Sequence, residues 1–388
     1  MKRRPERGFT LIELMVALVV SALLVGMILA IFSRMSLAYR GQQQIAGVQQ
    51  VLAAARGAIE LDARQAGYAM AQGFKLASDP ANTQSPVQIT NSSTGPDRVA
   101  FFYADASVQA AVTGLVGSWA ATPTLTVDDT TGFAPGDLVV LSTADPKLPS
   151  PIDPNDAMLV SYDACILRIA PGGVVSTKGG SITFETIPPW GLPDSSHCTT
   201  PLPPPSSPTI QTPMLYKFVA HAYRIDPDPA RAAIGPLQGS LVTGGLLRSA
   251  ADNWTDLAYG FTDIQTALQV YDHGIDNTDT PDLDLDGDRE WYSDGTQDTI
   301  TGPSSPVVSS GGLLQISISL VARTERDVEG IATAATPQLI DPAIPNNNTV
   351  GDHPSVSLPS ATDPALQGSR IYRYTTFQVD LRNLGVGR

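Results

Sequence analysis

The sequence predicts an α+β protein: one long N-terminal helix followed by an antiparallel β-sheet head with large loop insertions. Three observations predict it. Leu14–Phe32 runs without a charged residue, and no proline falls between Pro5 and Pro80. Beyond Pro80, short apolar runs of strand length alternate with segments rich in Gly, Pro, Asn and Asp. The bulk composition agrees: 388 residues, 42% hydrophobic, only 16% charged, with 33 Gly and 32 Pro, enough apolar material for a core and many irregular turns. A net charge of −14 excludes a nucleic-acid binder, because phosphate recognition needs clustered Lys and Arg.

The N-terminus comes first. Four basic residues, Lys2, Arg3, Arg4 and Arg7, precede 19 uncharged residues, which as a helix at about 1.5 Å each reach about 28 Å, close to the hydrocarbon thickness of a bilayer. The basic side stays in the cytoplasm, so the chain after Phe32 is expected outside it. No small-residue cleavage site follows the apolar run. The small residue stands in front of it, at Gly8. Glu13 is a carboxylate placed inside the apolar stretch, where it costs a few kcal/mol unless a partner compensates it or it reaches the interface as part of a plain anchor.

With Gly8, Phe9 and Glu13 in place, "GFTLIE" (Gly8–Glu13) resembles the processing motif of type IV pilins and pseudopilins. The resemblance implies that a prepilin peptidase cuts between Gly8 and Phe9 and methylates Phe9. It also implies that Glu13 attracts the Phe9 amine of a neighbouring subunit during assembly.

After the apolar run, Ile45, Val48, Leu52, Ala55 and Ile59 recur at 3,4,3,4 spacing with glutamines mostly elsewhere, so the helix continues with one face for packing. The expected division is a leader at 1–8, a helix at 9–78 (9–32 in membrane or filament core, 33–78 amphipathic) and a β-rich head at 79–388. Whether 79–200 and 209–388 form one head or two subdomains is left open. In the head, strands are expected at Val87–Thr90, Arg98–Tyr103, Thr124–Val127, Asp137–Ser142, Met158–Ile169 and Ser181–Ile187. A second group is expected at Met214–Ile225, Gly239–Leu247, Ile264–Tyr271, Leu313–Arg323 and Ile371–Leu384. In "LLQISISLVAR" and "TTFQVDLRN" apolar and polar residues alternate, so each has one buried face. "PLPPPSSP" (Pro201–Pro208) is a stiff loop, and Thr336–Gly368 is a long polar excursion.

The order of these pieces, with "YGFTDIQTALQVYD" and the closing "FQVDLRN", resembles the PilW family of minor pilins; the J-type pseudopilins of type II secretion share the closing pattern. The resemblance implies a minor subunit that helps initiate or cap a type IV pilus. Its implied partners are other minor and major pilins and a tip adhesin. Its implied location is the inner membrane first, with the head outside, and then the fibre tip. The alternatives are a J-like pseudopilin at the tip of a type II secretion filament, and a single-pass anchored, calcium-dependent surface binder.

Two further groups carry chemistry. In "DLDLDGDRE", Asp282, Asp284, Asp286 and Asp288 around Gly287 match the start of a calcium loop. The twelfth position is Ser293, where an EF-hand has glutamate, so Glu290 or Asp294 would have to complete a set of different geometry. The other reading is a solvated acidic hairpin. Cys165 and Cys198 are spaced for neither a CxxC motif nor a scaffold, but outside the cytoplasm one disulfide between them is allowed, worth roughly 3–4 kcal/mol in the loop-entropy model; two buried thiols are the alternative. The four histidines, His197, His221, His273 and His353, lack metal-site spacing, and neither GxSxG nor HExxH occurs, so a non-enzyme is expected.

Overall fold

A computed structural model of the chain describes residues 10–70, 73–76, 79–90, 96–116, 123–142, 164–175, 179–185, 213–225, 235–241, 254–270, 290–292, 313–324 and 371–381. One helix, α1 (Leu11–Gln65), leads into fourteen described strands. Helix α1 is unbroken for 55 residues. Every residue from Thr10 to Ser36 is exposed, and burial begins at Gly41 and recurs at Val48, Leu52, Ala55, Ile59, Asp62 and Ala63. This is the expected stripe from Val48 to Ile59, extended by Gly41, Asp62 and Ala63, with Ile45 only half-buried.

The helix ends thirteen residues short of the expected limit at 78. Proline plays no part in the stop. Ala66 leaves the helical region (ψ 134°) and Gly67 turns left-handed (φ 76°), the conformation that favours glycine just past a helix end. The Gly67 N–H then donates to the Phe102 carbonyl (2.9 Å), so the backbone leaves α1 by joining the sheet.

The strands are β1 (Phe74–Leu76), β2 (Asp79–Gln84), β3 (Val87–Thr90), β4 (Arg98–Val116), β5 (Thr124–Val127), β6 (Leu138–Ser142) and β7 (Ala164–Val175). They continue with β8 (Ser181–Phe184), β9 (Met214–Ile225), β10 (Gly235–Leu241), β11 (Thr255–Val270), β12 (Glu290–Tyr292), β13 (Leu313–Arg323) and β14 (Tyr372–Asp380). Their ladder runs β14-β13-β11-β10-β9-β4-β5-β8-β7-β1-β2, antiparallel except at β1–β7. β3, β5, β9 and β13 fall where the alternation places them. β11 begins nine residues earlier than expected, and β7 runs through Pro171–Val175, which reads as a turn, with a register shift between Ile169 and Val174 absorbing the irregularity.

The pairings close on themselves. β4 pairs β5, β5 pairs β8, β8 pairs β7, β7 pairs β6, β6 pairs β9, and β9 pairs β4, all antiparallel. Six strands thus form a closed barrel. Its interior holds Val112, Leu125, Val127, Val139, Leu141, Leu167, Ile169, Ile182 and Phe184, with Phe133 from the β5–β6 turn packed among them. Closure removes the edges that a six-stranded sheet would expose.

β4 and β9 belong to both parts. Arg98–Asp105 pairs with Lys217–Arg224 in the open sheet, a register shift follows between Asp105 and Gln109, and Gln109–Ala111 pairs with Met214–Tyr216 in the barrel. Strands from 79–200 and 209–388 therefore share one sheet. On one face of the open part, Val48, Leu52, Ala55, Ile59 and Ala63 of α1 pack on Val99, Phe101, Ile264, Ile316, Ile318, Phe377 and Val379. Met70 and Phe74 join Phe102, Tyr216, Phe218 and Ile166 in a second cluster where open sheet and barrel meet.

Two glycines separate packing from propensity. A Cβ at Gly173 would lie 2.4 Å from the Thr183 carbonyl oxygen, so Gly173→Ala is expected to cost about 1–3 kcal/mol. A Cβ at Gly57 would meet nothing within 4 Å, so Gly57→Ala is expected to stabilise α1 by about 1 kcal/mol. Denaturant melts of the two variants check both signs.

Candidate functional site

The N-terminal segment begins, among the described residues, at Thr10; Gly8 and Phe9 lie outside them. Thr10 caps α1. Its backbone N–H donates to Glu13 Oε2 (3.0 Å), its hydroxyl donates to the same oxygen (3.1 Å), and the Glu13 N–H donates back to Thr10 Oγ1 (3.3 Å). This is a capping box: the helix start has unpaired N–H groups, and a threonine followed three residues later by glutamate satisfies two of them. The T-x-x-E spacing was present in "GFTLIE", yet Glu13 alone draws attention there and Thr10 is the residue missed. The carboxylate that reads as an assembly group also starts the helix. Beyond it, α1 is the one helix among the described residues long and apolar enough to cross a membrane.

A second polar centre lies where α1 meets the head. Asp62 is buried, at the end of the apolar stripe, and its carboxylate accepts from three donors. Tyr103 Oη donates to Oδ1 (2.9 Å), while Tyr223 Oη donates to Oδ2 and His221 Nδ1 lies 2.7 Å from that oxygen. Tyr103 comes from β4, His221 and Tyr223 from β9, so a single carboxylate ties the helix to the two longest-paired strands. Burial, and then the negative charge of Asp62, push both tyrosine hydroxyls well above their ordinary range and keep them as donors. Burying a carboxylate is tolerable only with its lone pairs satisfied, as they are here.

Other site residues stand apart. Cys165 is buried in β7, opposite Lys75 and Leu141, and Cys198 lies outside the described residues. Asp282, Asp284, Asp286 and Asp288 lie outside them too; Glu290 opens β12 opposite Val270, and the rest of the acidic loop lies between β11 and β12 in the chain. Among the described residues no three His, Cys, Asp or Glu side chains converge to hold a metal.

The helix start has a counterpart in known proteins. Residues 3–29 match the prokaryotic N-terminal methylation motif. The segment is a type IV pilin-like prepilin signal. It covers Gly8, Phe9, Thr10 and Glu13 and most of the apolar run, and it indicates a type IV pilin-like or pseudopilin protein of the kind that meets a prepilin peptidase. The motif and the apolar helix together fit anchoring in the membrane before assembly. The head lies beyond the match. No curated protein and no solved structure matches the chain.

The Asp62 cluster makes a signed pH prediction. Unfolded tyrosines lose protons near pH 10, whereas Tyr103 and Tyr223 hold theirs in the fold. Above pH 10 the unfolded state therefore binds fewer protons, and stability, unaffected by these groups below pH 10, falls as pH rises. Chemical denaturation from pH 7 to 11 should show this fall reduced in Tyr103→Phe. At pH 7, Asp62→Asn is expected to cost about 2–4 kcal/mol and Tyr103→Phe about 1–2 kcal/mol, because the first places amide donors against donors and the second removes one bond of three.

Proposed function

We propose that the protein is a minor pilin of the PilW kind, cut between Gly8 and Phe9, methylated at Phe9, and incorporated into a type IV pilus where it helps initiate or cap the fibre. The methylation motif at residues 3–29, carried by a helix whose first half packs on nothing among the described residues, is the observation that carries this reading. An exposed apolar helix of this length needs lipid before assembly and other helices after it. Phe9 and Glu13 would be the assembly contacts, the latter already oriented by Thr10. A head built from an open sheet and a barrel is bulky for a repeating shaft unit, which favours the tip. There its partners would be other minor pilins, major pilin and a tip adhesin. A structural role for the chain is what the pilin-like motif at residues 3–29 suggests.

The same signal serves a J-like pseudopilin at the tip of a type II secretion filament. Sheared surface fibres distinguish the two. The chain should be found in pili, and its loss, or Glu13→Leu, should reduce piliation severalfold while secreted enzymes remain; intact pili with blocked secretion would reject the pilus role. An anchored surface binder would leave both unaffected.

The reading extends to two features of the head. Asp282, Asp284, Asp286, Asp288 and Glu290 would hold a structural calcium ion, relieving the repulsion of carboxylates crowded in one loop. Cys165 and Cys198 would form the single disulfide, supported by the burial of Cys165 and by the absence of a free cysteine among the described residues. Native mass spectrometry of the full chain should show one calcium lost to chelator and a mass two hydrogens below the reduced form. A mass unchanged by chelator or by reductant would remove the respective feature.

A further inference from the structure

The turn that follows α1 holds an alanine in a conformation that elsewhere among the described residues is taken by glycine. Ala69 has φ 62°, the one non-glycine residue with positive φ among those described. Alanine enters this region against steric resistance from its Cβ, and such strain persists where the surroundings over-determine it. The surroundings are specific. Ala69 is buried, and its carbonyl accepts the Ser142 hydroxyl at 2.7 Å. Ser142 is the last residue of β6, fully buried, so this bond joins the turn to the barrel directly.

The neighbouring bonds join the same turn to the open sheet. Gly67 N–H donates to the Phe102 carbonyl (2.9 Å) and the Ala104 N–H donates to the Tyr68 carbonyl (3.1 Å). Three residues past Met70, Gly73 turns again (φ 94°) into β1, which among the described residues pairs β7 of the barrel at two positions, Lys75–Cys165 and Leu76–Ile166. Among the described residues the barrel also meets the open sheet through β4, through β9, which runs unbroken from Met214 to Ile225, and through the shared cluster of Phe74, Phe102, Tyr216 and Phe218. β4 crosses through the register shift between Asp105 and Gln109, where the ladder with β9 is interrupted. The extra residues lie on β4 alone and bend it, so one of the two crossing strands is irregular at the junction.

We propose that the turn Ala66–Met70 is a strained joint that holds the barrel in one orientation on the end of α1, with the Ser142–Ala69 bond as its catch and the β4 irregularity as the pivot. Asp62 fixes the helix to β4 and β9 on one side of the joint; Ser142 fixes the barrel on the other. The turn thus adds a local restraint on the orientation of the barrel to those supplied by the unbroken strand β9 and by the cluster shared between the two parts. This inference is independent of the pilus reading.

Hydrogen exchange and distance measurements on the full chain in detergent test it. Removing the catch with Ser142→Ala should speed exchange at the Gly67 and Ala104 amides by about tenfold or more, while Val127 and Phe184, bonded inside the barrel to Gly180 and Pro123, stay protected. Spin labels at A54C and T113C, exposed on α1 and on the barrel, should give a narrow distance distribution that broadens in Ser142→Ala. Ser142→Thr, which keeps the hydroxyl, should restore both. Ala69→Gly, which relieves the strain and leaves the carbonyl in place, should raise the melting temperature by about 1–3 °C without changing the distance. Uniformly faster exchange across the head, an unchanged distance distribution in Ser142→Ala, or a lower melting temperature in Ala69→Gly would overturn the proposal. The last measurement stands even if Ser142→Ala fails to fold.

Discussion

A buried carboxylate at the end of an otherwise apolar helical stripe governs how this chain is put together. Apolar contacts from Val48 to Ala63 would hold α1 against the sheet, but apolar faces slide and rotate at small cost. Asp62 removes that freedom. Three donors from β4 and β9 converge on its two oxygens, and any shift of a helical turn would leave the charge and the donors buried without partners. The helix register, the point at which it ends and the entry of the backbone into the edge of β4 all follow within five residues of Asp62. The cluster thus divides α1 into a docked half belonging to the head and an exposed half free for lipid or for other subunits.

That division gives the fold its functional logic. The exposed half ends in a capping box whose glutamate lies in the methylation motif, so the group that marks the segment also nucleates its helix. The docked half carries a head in which two strands, β4 and β9, pass from an open sheet into a closed barrel. The open sheet supplies the surface on which α1 rests; the barrel, with its own interior, adds mass at the helix end away from the exposed apolar half. The methylation motif and the head are consequently separated along one continuous helix.

Much of this was legible in the sequence where the signal is local. The uncharged run, the 3,4 spacing from Ile45 to Ile59 and the alternation in "LLQISISLVAR" each report one face of one element, and the structure realises them. Glu13 was legible by its misplacement. Thr10 was equally visible in the T-x-x-E spacing, and Asp62 sits three residues beyond Ile59, where an acidic residue on a core stripe is itself a signal. His221 and the two tyrosines were not legible, because they meet Asp62 only through the β4–β9 pairing. Barrel closure was hidden for the same reason: β6 reaches β9 across more than seventy residues of chain, and neither strand's alternation differs from that of an open sheet. The early stop of α1 depends on Gly67 and a bond to Phe102, a contact that periodicity does not contain.

The most direct test of the functional account is the mass of the N-terminus of the membrane-extracted chain, produced with and without a prepilin peptidase. The account predicts a chain beginning at methylated Phe9 when the peptidase is present and an intact leader when it is absent. An N-terminus at Met1 or Lys2 under both conditions, or a cut beyond Phe32, would contradict it.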